Sequence, residues 1–358
     1  MDLGTKGSGQ TPYSRFGDGR LTLKGAVREL LATEMLEALG VETSRTFSLV
    51  ETGEALERND EPSPTRSAVV VRLSHSHIRY GTFQRLAYLG EKENIRKLTD
   101  YCLEHFVHGE GHDDPYAALI DHAVAGAARL AASYRAAGFV HGVLNTDNIN
   151  ITGESFDYGP WRFAPRWDDE FTAAYFDQFG LYSFGRQAEA LQWNVHQLAL
   201  ALRVACEAES LIPALKNYPE RYEAELSAAM LRRLGLKPRS AEEDAALVRA
   251  WETALRESEL EPERAFFDWR GGTRRRVHAA YETAPFQVFA DLADAYEASP
   301  GALDDEYWAG KETCSMLIDE MEALWAPIAE GDDWQPLMTK VASIRRMGRA
   351  YAVGRGST

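Results

Sequence analysis

One segment of the chain carries residues suited to holding a metal ion beside a phosphate. It spans residues 141–160 and reads HGVLNTDNINITGESFDYGP. Asp147 and Asn148 stand together in a polar turn, and Asp157 opens a D-Y-G sequence after a β-prone stretch over 149–156. Mg²⁺ takes hard oxygen ligands and bridges them to phosphate oxygens. Asn148 and Asp157 are therefore predicted to be metal ligands.

The same segment has an apolar residue where many phosphoryl-transfer enzymes carry a base. The third position of their H-x-D tripeptide is a carboxylate that accepts the proton of the acceptor hydroxyl, and here it is Val143. Because valine cannot take a proton, either the activity is absent or the base lies elsewhere. The nearest candidate is Asp147, beside Asn148, although the same aspartate could simply cap the turn. His141 is predicted to bond the loop backbone and to have a structural role.

The segment resembles the loop of the selenoprotein O family of protein adenylyltransferases, which reads much like HGVLNTDN followed by DYGP. Three further blocks extend the resemblance: TKGSGQTPYSRFGDGRLTLKGAVRELL at 5–31, VVVRLSHSHIRYGTF at 69–83 and LYSFGRQAEALQWNVHQLALAL at 181–202. Four blocks in the family's order are far more specific than one short motif. The resemblance implies a protein-kinase-like fold that binds ATP in reverse, so that AMP is passed to protein Ser, Thr or Tyr hydroxyls and pyrophosphate leaves.

The resemblance also implies phosphate-binding roles for residues outside this segment. Lys6 would hold phosphates, with Glu29 on the first helix as its ion-pair partner, and Arg72 and Arg79 would clasp the ATP phosphates. Arginine suits this role because its planar guanidinium binds phosphate oxygens in a bidentate way and stays charged. Taken without the surrounding blocks, these four residues would read as ordinary surface charges.

A glycine turn near the N-terminus is the remaining part of the implied nucleotide site. Asp18 and Gly19, in FGDGR, match nucleotide contacts of the family and also form a sequence typical of an ordinary turn. The implied cofactor is Mg²⁺ or Mn²⁺, and ATP is the implied substrate. Two alternatives stay open: a conventional kinase, which Val143 argues against, and an inactive or truncated nucleotide-binding module.

The predicted architecture is α+β, with a small β-containing N-lobe and a large, mainly helical C-lobe. The boundary is placed between 1–92 and 93–358. Residues before Leu23 are predicted to be turn and loop, and strands are predicted at 46–50 and 68–73. Helical periodicity covers 26–39, 115–138, 191–202, 220–234, 241–256, 285–296 and 311–325. In the resembled family a glycine-rich loop lies upstream of the KGSG block, so the N-lobe is expected to be partial.

The composition limits the classes of binding partner and the cellular compartment that are expected for this protein. The chain of 358 residues has a formal net charge of −16, which argues against nucleic-acid or anionic-membrane binding, since these partners attract Lys and Arg. No signal peptide or membrane-spanning apolar run is evident, and three scattered cysteines suggest neither disulfides nor zinc. The expected location is the cytoplasm, and the expected partners are ATP and hydroxyl-bearing proteins. The family's C-terminal redox residue has no counterpart in AYAVGRGST.

Overall fold

The computed structural model describes residues 1–12, 14, 19–58, 62–107 and 114–352, and its elements mix α-helices with a small antiparallel sheet. The strands are β1 (Asp2–Lys6), β2 (Leu21–Thr22), β3 (Arg45–Leu56), β4 (Thr65–Ser74), β5 (Phe139–Val140) and β6 (Arg162–Phe163). The helices are α1 (Leu23–Ala38), α2 (Tyr80–Tyr88), α3 (Lys92–Phe106), α4 (Pro115–Ala137), α5 (Gln187–Leu202), α6 (Ile212–Lys216), α7 (Tyr218–Leu234), α8 (Ala241–Arg256), α9 (Pro262–Asp268), α10 (Ala284–Ala293), α11 (Ile318–Gly331) and α12 (Gln335–Ala352).

Strand β4 is the centre of the main sheet. β3 pairs antiparallel along one of its edges, while β1 and β2 share the other edge. In this register Gly4 lies opposite Arg72 and Lys6 lies opposite Val70. Side chains alternate between the two faces of a strand, so Lys6 and Arg72 project from the same face. The sheet therefore brings two of the predicted phosphate-binding cations together.

Helix α1 packs against this sheet and supplies the partner of both cations. It begins at a capped N-terminus, where the Thr22 hydroxyl accepts a hydrogen bond from the Gly25 backbone N–H at 3.0 Å. Val27 and Leu31 are fully buried, which ties the helix to the core. Glu29 lies on the same buried part of α1, with no exposed surface. A carboxylate is buried this completely only when opposite charges compensate it.

The remaining helices form a large body around α4. This helix starts at Asp114, whose side chain caps the N-terminus, and ends at Gly138, which has a φ of 65°. Because the face of α4 towards its neighbours is rich in alanine, α5 and α7 can pack closely on it. No helix in the described part of the chain is both long enough and apolar enough to cross a membrane.

Several predictions from the sequence are confirmed. The mixture of helices with small antiparallel sheets is compatible with an α+β fold, the strands predicted at 46–50 and 68–73 lie within β3 and β4, and the helix predicted at 241–256 has those bounds.

Others are wrong. Residues 2–6 form a strand instead of a loop, because their backbone groups pair with β4. Residues 149–156 form no strand: only isolated bridges at Asn150 and Ser155 are present, and Gly153 turns the chain with a φ of 77°. The helix predicted from 311 begins at Ile318, where Asp319 and Glu320 in the first turn favour a helix N-terminus.

Candidate active site

Lys6 and Glu29 form the first ion pair of the site. Lys6 Nζ lies 2.6 Å from Glu29 Oε2, and Glu29 is completely buried. Burial opposes the charged form of Lys6, but Glu29 and Asp157 outweigh it, so the pKa of Lys6 is raised. The ammonium group is therefore charged and held in one place. A fixed cation of this kind is what a phosphate-binding lysine requires.

Asp157 is the centre of the ionic contacts. Its Oδ1 lies 2.7 Å from Lys6 Nζ and 3.3 Å from Arg72 Nη1, and its Oδ2 lies 3.2 Å from Arg79 Nη2. Burial raises the pKa of this carboxyl, but the three cations lower it more strongly, so Asp157 is ionised. Its φ of 66° is a left-handed conformation that is uncommon outside glycine. The sharp turn aims the carboxylate at the cations.

The two arginines share an aromatic support. The guanidinium groups of Arg72 and Arg79 lie 5.6 Å and 5.0 Å from the centroid of the Phe156 ring. Arg72 is 5% exposed and lies 3.5 Å from Glu29 Oε1, yet its Nε and Nη1 atoms make no hydrogen bond within the described part of the chain. Buried donors are normally satisfied. Nη1 instead faces the carboxylates of Glu29 and Asp157 at ion-pair distance, whereas Nε has no partner among the described residues.

We call Lys6, Glu29, Arg72, Arg79 and Asp157 the ionic cluster. It contains three cations and two carboxylates, so it carries a net positive charge among these described residues. The excess positive charge lies on side chains that are buried or partly buried, where charges interact strongly. The cluster therefore suits an anion, in a chain whose overall charge is −16.

The loop over 141–148 is fixed next to the cluster by hydrogen bonds. His141 donates through Nε2 to the carbonyl oxygen of Phe156 at 3.1 Å, which ties the loop to the residue before Asp157. Burial lowers the pKa of His141, so its ring is neutral. On the other side of the loop, the backbones of Arg79 and Asn150 form an isolated antiparallel β-bridge, and the Tyr80 N–H donates to Ile149 O at 3.1 Å. Loop and cluster thus form one connected site.

Asp147 and Asn148 lie on a 3₁₀ turn of this loop, outside the ionic cluster. Asn148 is half-buried, and its Nδ2 donates to Val143 O at 2.8 Å. This hydrogen bond fixes the Asn148 amide, so that Asn148 Oδ1 is the atom available to a ligand. Asp147 is exposed, and its backbone N–H donates to Asn145 Oδ1 at 3.1 Å. An exposed, positioned carboxylate can reach a group that arrives from outside the protein.

The glycine predicted to contact the nucleotide, Gly19, is held against the turn that follows β1. Gly19 has a φ of 80°, and its carbonyl accepts from the Gly9 N–H at 3.0 Å, in the turn that follows β1. A Cβ at Gly19 would overlap the backbone of Gly9, so only glycine fits. Asp18, the other residue predicted here, lies outside the described residues.

Two residues of the site have no counterpart among the sequence-based predictions. Phe156 supports both arginines, and its only signal in the sequence is an apolar residue directly before the aspartate of D-Y-G. Gly81, in α2, faces Asp147 so closely that a Cβ there would overlap Asp147 Oδ1. Nothing in the sequence marks this glycine, because the contact joins distant parts of the chain.

The comparisons with known proteins agree with one another. A family model described as "Protein adenylyltransferase SelO" matches residues 1–345. The chain is 42% identical to the protein nucleotidyltransferase YdiU of Gloeobacter violaceus, over 96% of this chain and 74% of that relative. It is 40% identical to the protein of the same name from Trichormus variabilis, over 97% of this chain and 76% of that relative. Because the family match spans the ionic cluster, the 141–148 loop and nearly all the helical body, this chain belongs to the protein adenylyltransferase SelO family.

Proposed function

We propose that this protein transfers AMP from ATP to Ser, Thr or Tyr hydroxyls of other proteins and releases pyrophosphate. The observation that carries the proposal is the ionic cluster, whose surplus cation and unpaired Arg72 Nε suit a polyphosphate. Lys6, Arg72 and Arg79 bind the phosphates, and Glu29 holds Lys6 and Arg72 in place. Catalysis then rests mainly on positioning and on stabilising the charge of the transition state.

The residues present fit a divalent cation such as Mg²⁺ or Mn²⁺. Asn148 offers an amide oxygen and Asp157 an ionised carboxylate, which are both hard donors. No group of three or more His, Cys, Asp or Glu side chains suited to a metal occurs among the described residues. Phosphate oxygens and water would therefore complete the shell, as is usual for Mg²⁺. When bound, the ion would neutralise charge that develops on the phosphate oxygens.

Asp147 accepts the proton of the incoming hydroxyl in this proposal. It is exposed on the turn next to Asn148, whereas Val143 has no group that takes a proton. The backbone bond to Asn145 and the close contact with Gly81 restrict where its carboxylate can lie. A base placed in this way contributes typically about 10²- to 10⁴-fold to the rate.

The proposed architecture is a kinase-like fold with two lobes. The sheet of β1 to β4 with α1 corresponds to a small N-lobe, and the helices around α4 correspond to the C-lobe. The ionic cluster draws Lys6, Glu29 and Arg72 from the first part and Asp157 from the second. The boundary between 1–92 and 93–358 is part of this proposal.

Labelled ATP tests the proposal. The purified chain is incubated with Mg²⁺ or Mn²⁺, a protein acceptor and ATP labelled at either the α- or the γ-phosphate. We expect label in the acceptor only from α-labelled ATP, because AMP retains the α-phosphate. Label from γ-labelled ATP alone would show a conventional kinase, and ATP binding without transfer of either label would show a binding module.

Gly81→Ala tests the position of Asp147. The new methyl group would overlap Asp147 Oδ1 and force the carboxylate away. We expect AMP transfer to fall by up to about 100-fold, the cost of a misplacement of roughly 1 Å. ATP affinity and thermal stability should be kept, since alanine favours a helix more than glycine does.

Gly331→Ala is the matched control for this experiment. Gly331 also lies in a helix, α11, but a Cβ there meets no atom within 4 Å. Transfer should stay at the parent rate in this variant. If Gly81→Ala behaves like Gly331→Ala, the Asp147 carboxylate is not positioned against α2 during the reaction.

A further inference from the structure

We call the 141–148 loop, which carries Asp147, the catalytic loop. Beside it, the loop over 167–185 presents aromatic side chains to solvent. Tyr175 is 84% exposed and Phe179 is 95% exposed, and Phe176 and Leu181 are also largely exposed. Trp193, on α5, is 54% exposed. We call these five residues the aromatic surface. Tyr175 and Phe176 pack edge to face, with ring centroids 5.4 Å apart. Exposed apolar patches commonly mark interaction sites.

The loop is held by its own hydrogen bonds. The side chain of Asp177 accepts from the backbone N–H groups of Leu181 at 2.7 Å and Tyr182 at 2.8 Å. At its ends, the Phe184 N–H donates to Phe171 O at 2.9 Å, and Phe184 is buried against Trp167. The aromatic surface is therefore presented in a fixed arrangement, which lowers the entropy lost when a partner binds.

Both parts of the aromatic surface are attached to the catalytic loop. A Cβ at Gly142 would lie 3.1 Å from the Cβ of Ala173, just before the exposed aromatic residues. Asn194, next to Trp193, donates through Nδ2 to Leu144 O at 2.7 Å. These two contacts flank Val143, which lies three residues before Thr146, the first residue of the turn that carries Asp147. The exposed loop and α5 are therefore both packed against the segment that leads into Asp147.

The charge of the loop indicates what kind of chain fits. Residues 167–185 contain four acidic residues and neither Lys nor Arg. The arginines at either end are engaged, Arg166 with Glu259 and Arg186 with Glu189. Asp169 is neutralised by Arg135 and Arg256, and Asp177 lies near Arg186, which leaves Asp168 and Glu170 as the source of negative charge.

We propose that the aromatic surface binds the acceptor protein through a segment with Arg or Lys and apolar residues next to the modified hydroxyl. Basic side chains fit for two reasons: they complement Asp168 and Glu170, and they bind the faces of Tyr175 and Phe179 through cation–π contacts. This inference rests on the proposed function and adds the class of acceptor. It also accounts for the exposure of rings that no other described element covers.

Two peptides of equal length test the proposal. Each has one central serine, flanked by Arg and Leu in the first peptide and by Glu and Leu in the second. Fluorescence anisotropy gives their affinity for the full chain with Mg²⁺ and an ATP analogue that cannot be cleaved. We expect the basic peptide to bind more tightly, and Phe179→Ser and Tyr175→Ser each to weaken its binding by about tenfold, or about 1.4 kcal/mol.

Val277→Ser is the control, because Val277 is 90% exposed and lies outside the 167–193 stretch. It should bind the basic peptide as the parent does, and all variants should bind ATP equally in calorimetry. With α-labelled ATP, the two loop variants should raise KM for the basic peptide and leave kcat unchanged.

Equal affinity for the two peptides overturns the proposal, as does unchanged binding in both loop variants. A dimer that sediments as such in the parent and dissociates in Phe179→Ser overturns it too, since a second copy then covers the surface. Absence of AMP transfer by the parent refutes the proposed function instead, because the binding measurement does not depend on transfer.

Discussion

Asp157→Asn is expected to abolish Mg²⁺-dependent ATP binding and, with it, AMP transfer. The carboxylate is both a predicted metal ligand and the common partner of Lys6, Arg72 and Arg79. Loss of even an outer partner of a metal ligand costs ~10- to 100-fold in metal affinity. Loss of the ligand itself should therefore cost at least about 100-fold, measured by calorimetry with ATP and Mg²⁺. Asparagine suits the test because it tolerates the left-handed backbone at this position.

The same variant has a second readout in its stability. Burial raises the pKa of Asp157, but its cation partners lower it further, so the folded protein binds this proton less readily than the unfolded chain. The ionised group thus stabilises the fold above the ordinary aspartate pKa of about 3.9, and this contribution is lost as the pH falls. The parent should be more stable than Asp157→Asn at neutral pH, and the difference should shrink below about pH 4.

Asp332→Asn is the matched control. Asp332 is the other described non-glycine residue with a positive φ, 52°, and it also pairs with an arginine, Arg66. It is remote in sequence from the ionic cluster and exposed. ATP binding should be intact in this variant. Equal Mg²⁺-dependent affinity in Asp157→Asn and the parent would remove Asp157 from the nucleotide site.

Asp147→Asn is expected to slow AMP transfer by ~10²- to 10⁴-fold and to leave ATP affinity nearly unchanged. A general base acts in the chemical step, so its loss lowers kcat with little effect on ground-state binding. Asp147 lies outside the ionic cluster, which is why its removal should spare the phosphate contacts. Single-turnover transfer from α-labelled ATP measures the rate, and calorimetry measures the affinity.

Asp319→Asn serves as the control for Asp147→Asn, since Asp319 is an exposed aspartate in the first turn of α11. It should transfer AMP at the parent rate. A parent-like rate in Asp147→Asn would show that another group, or water, takes the proton. The Gly81→Ala variant would then lose its rationale as well.

Local sequence determined most of the helices and the chemical types in the site. Helical periodicity depends on residues three and four apart. The bounds of the helix at 241–256 could therefore be predicted to the residue, and the bounds of α1 could be predicted closely. Val143 in place of an acid, and the order of Asn148 and Asp157, could be read directly along one segment. These features lie within a few residues of one another, where the sequence alone carries the information.

Tertiary structure decided what depends on contacts between distant residues. Residues 2–6 become a strand only because β4, more than 60 residues away, supplies the hydrogen-bond partners. The same pairing puts Lys6 and Arg72 on one face above Glu29. Phe156 under the two arginines and Gly81 against Asp147 have the same origin. The sequence identifies the groups that can take part in the chemistry. Long-range packing sets the distances between these groups, and those distances determine their ionisation, their orientation and the ligand atoms that they can contact.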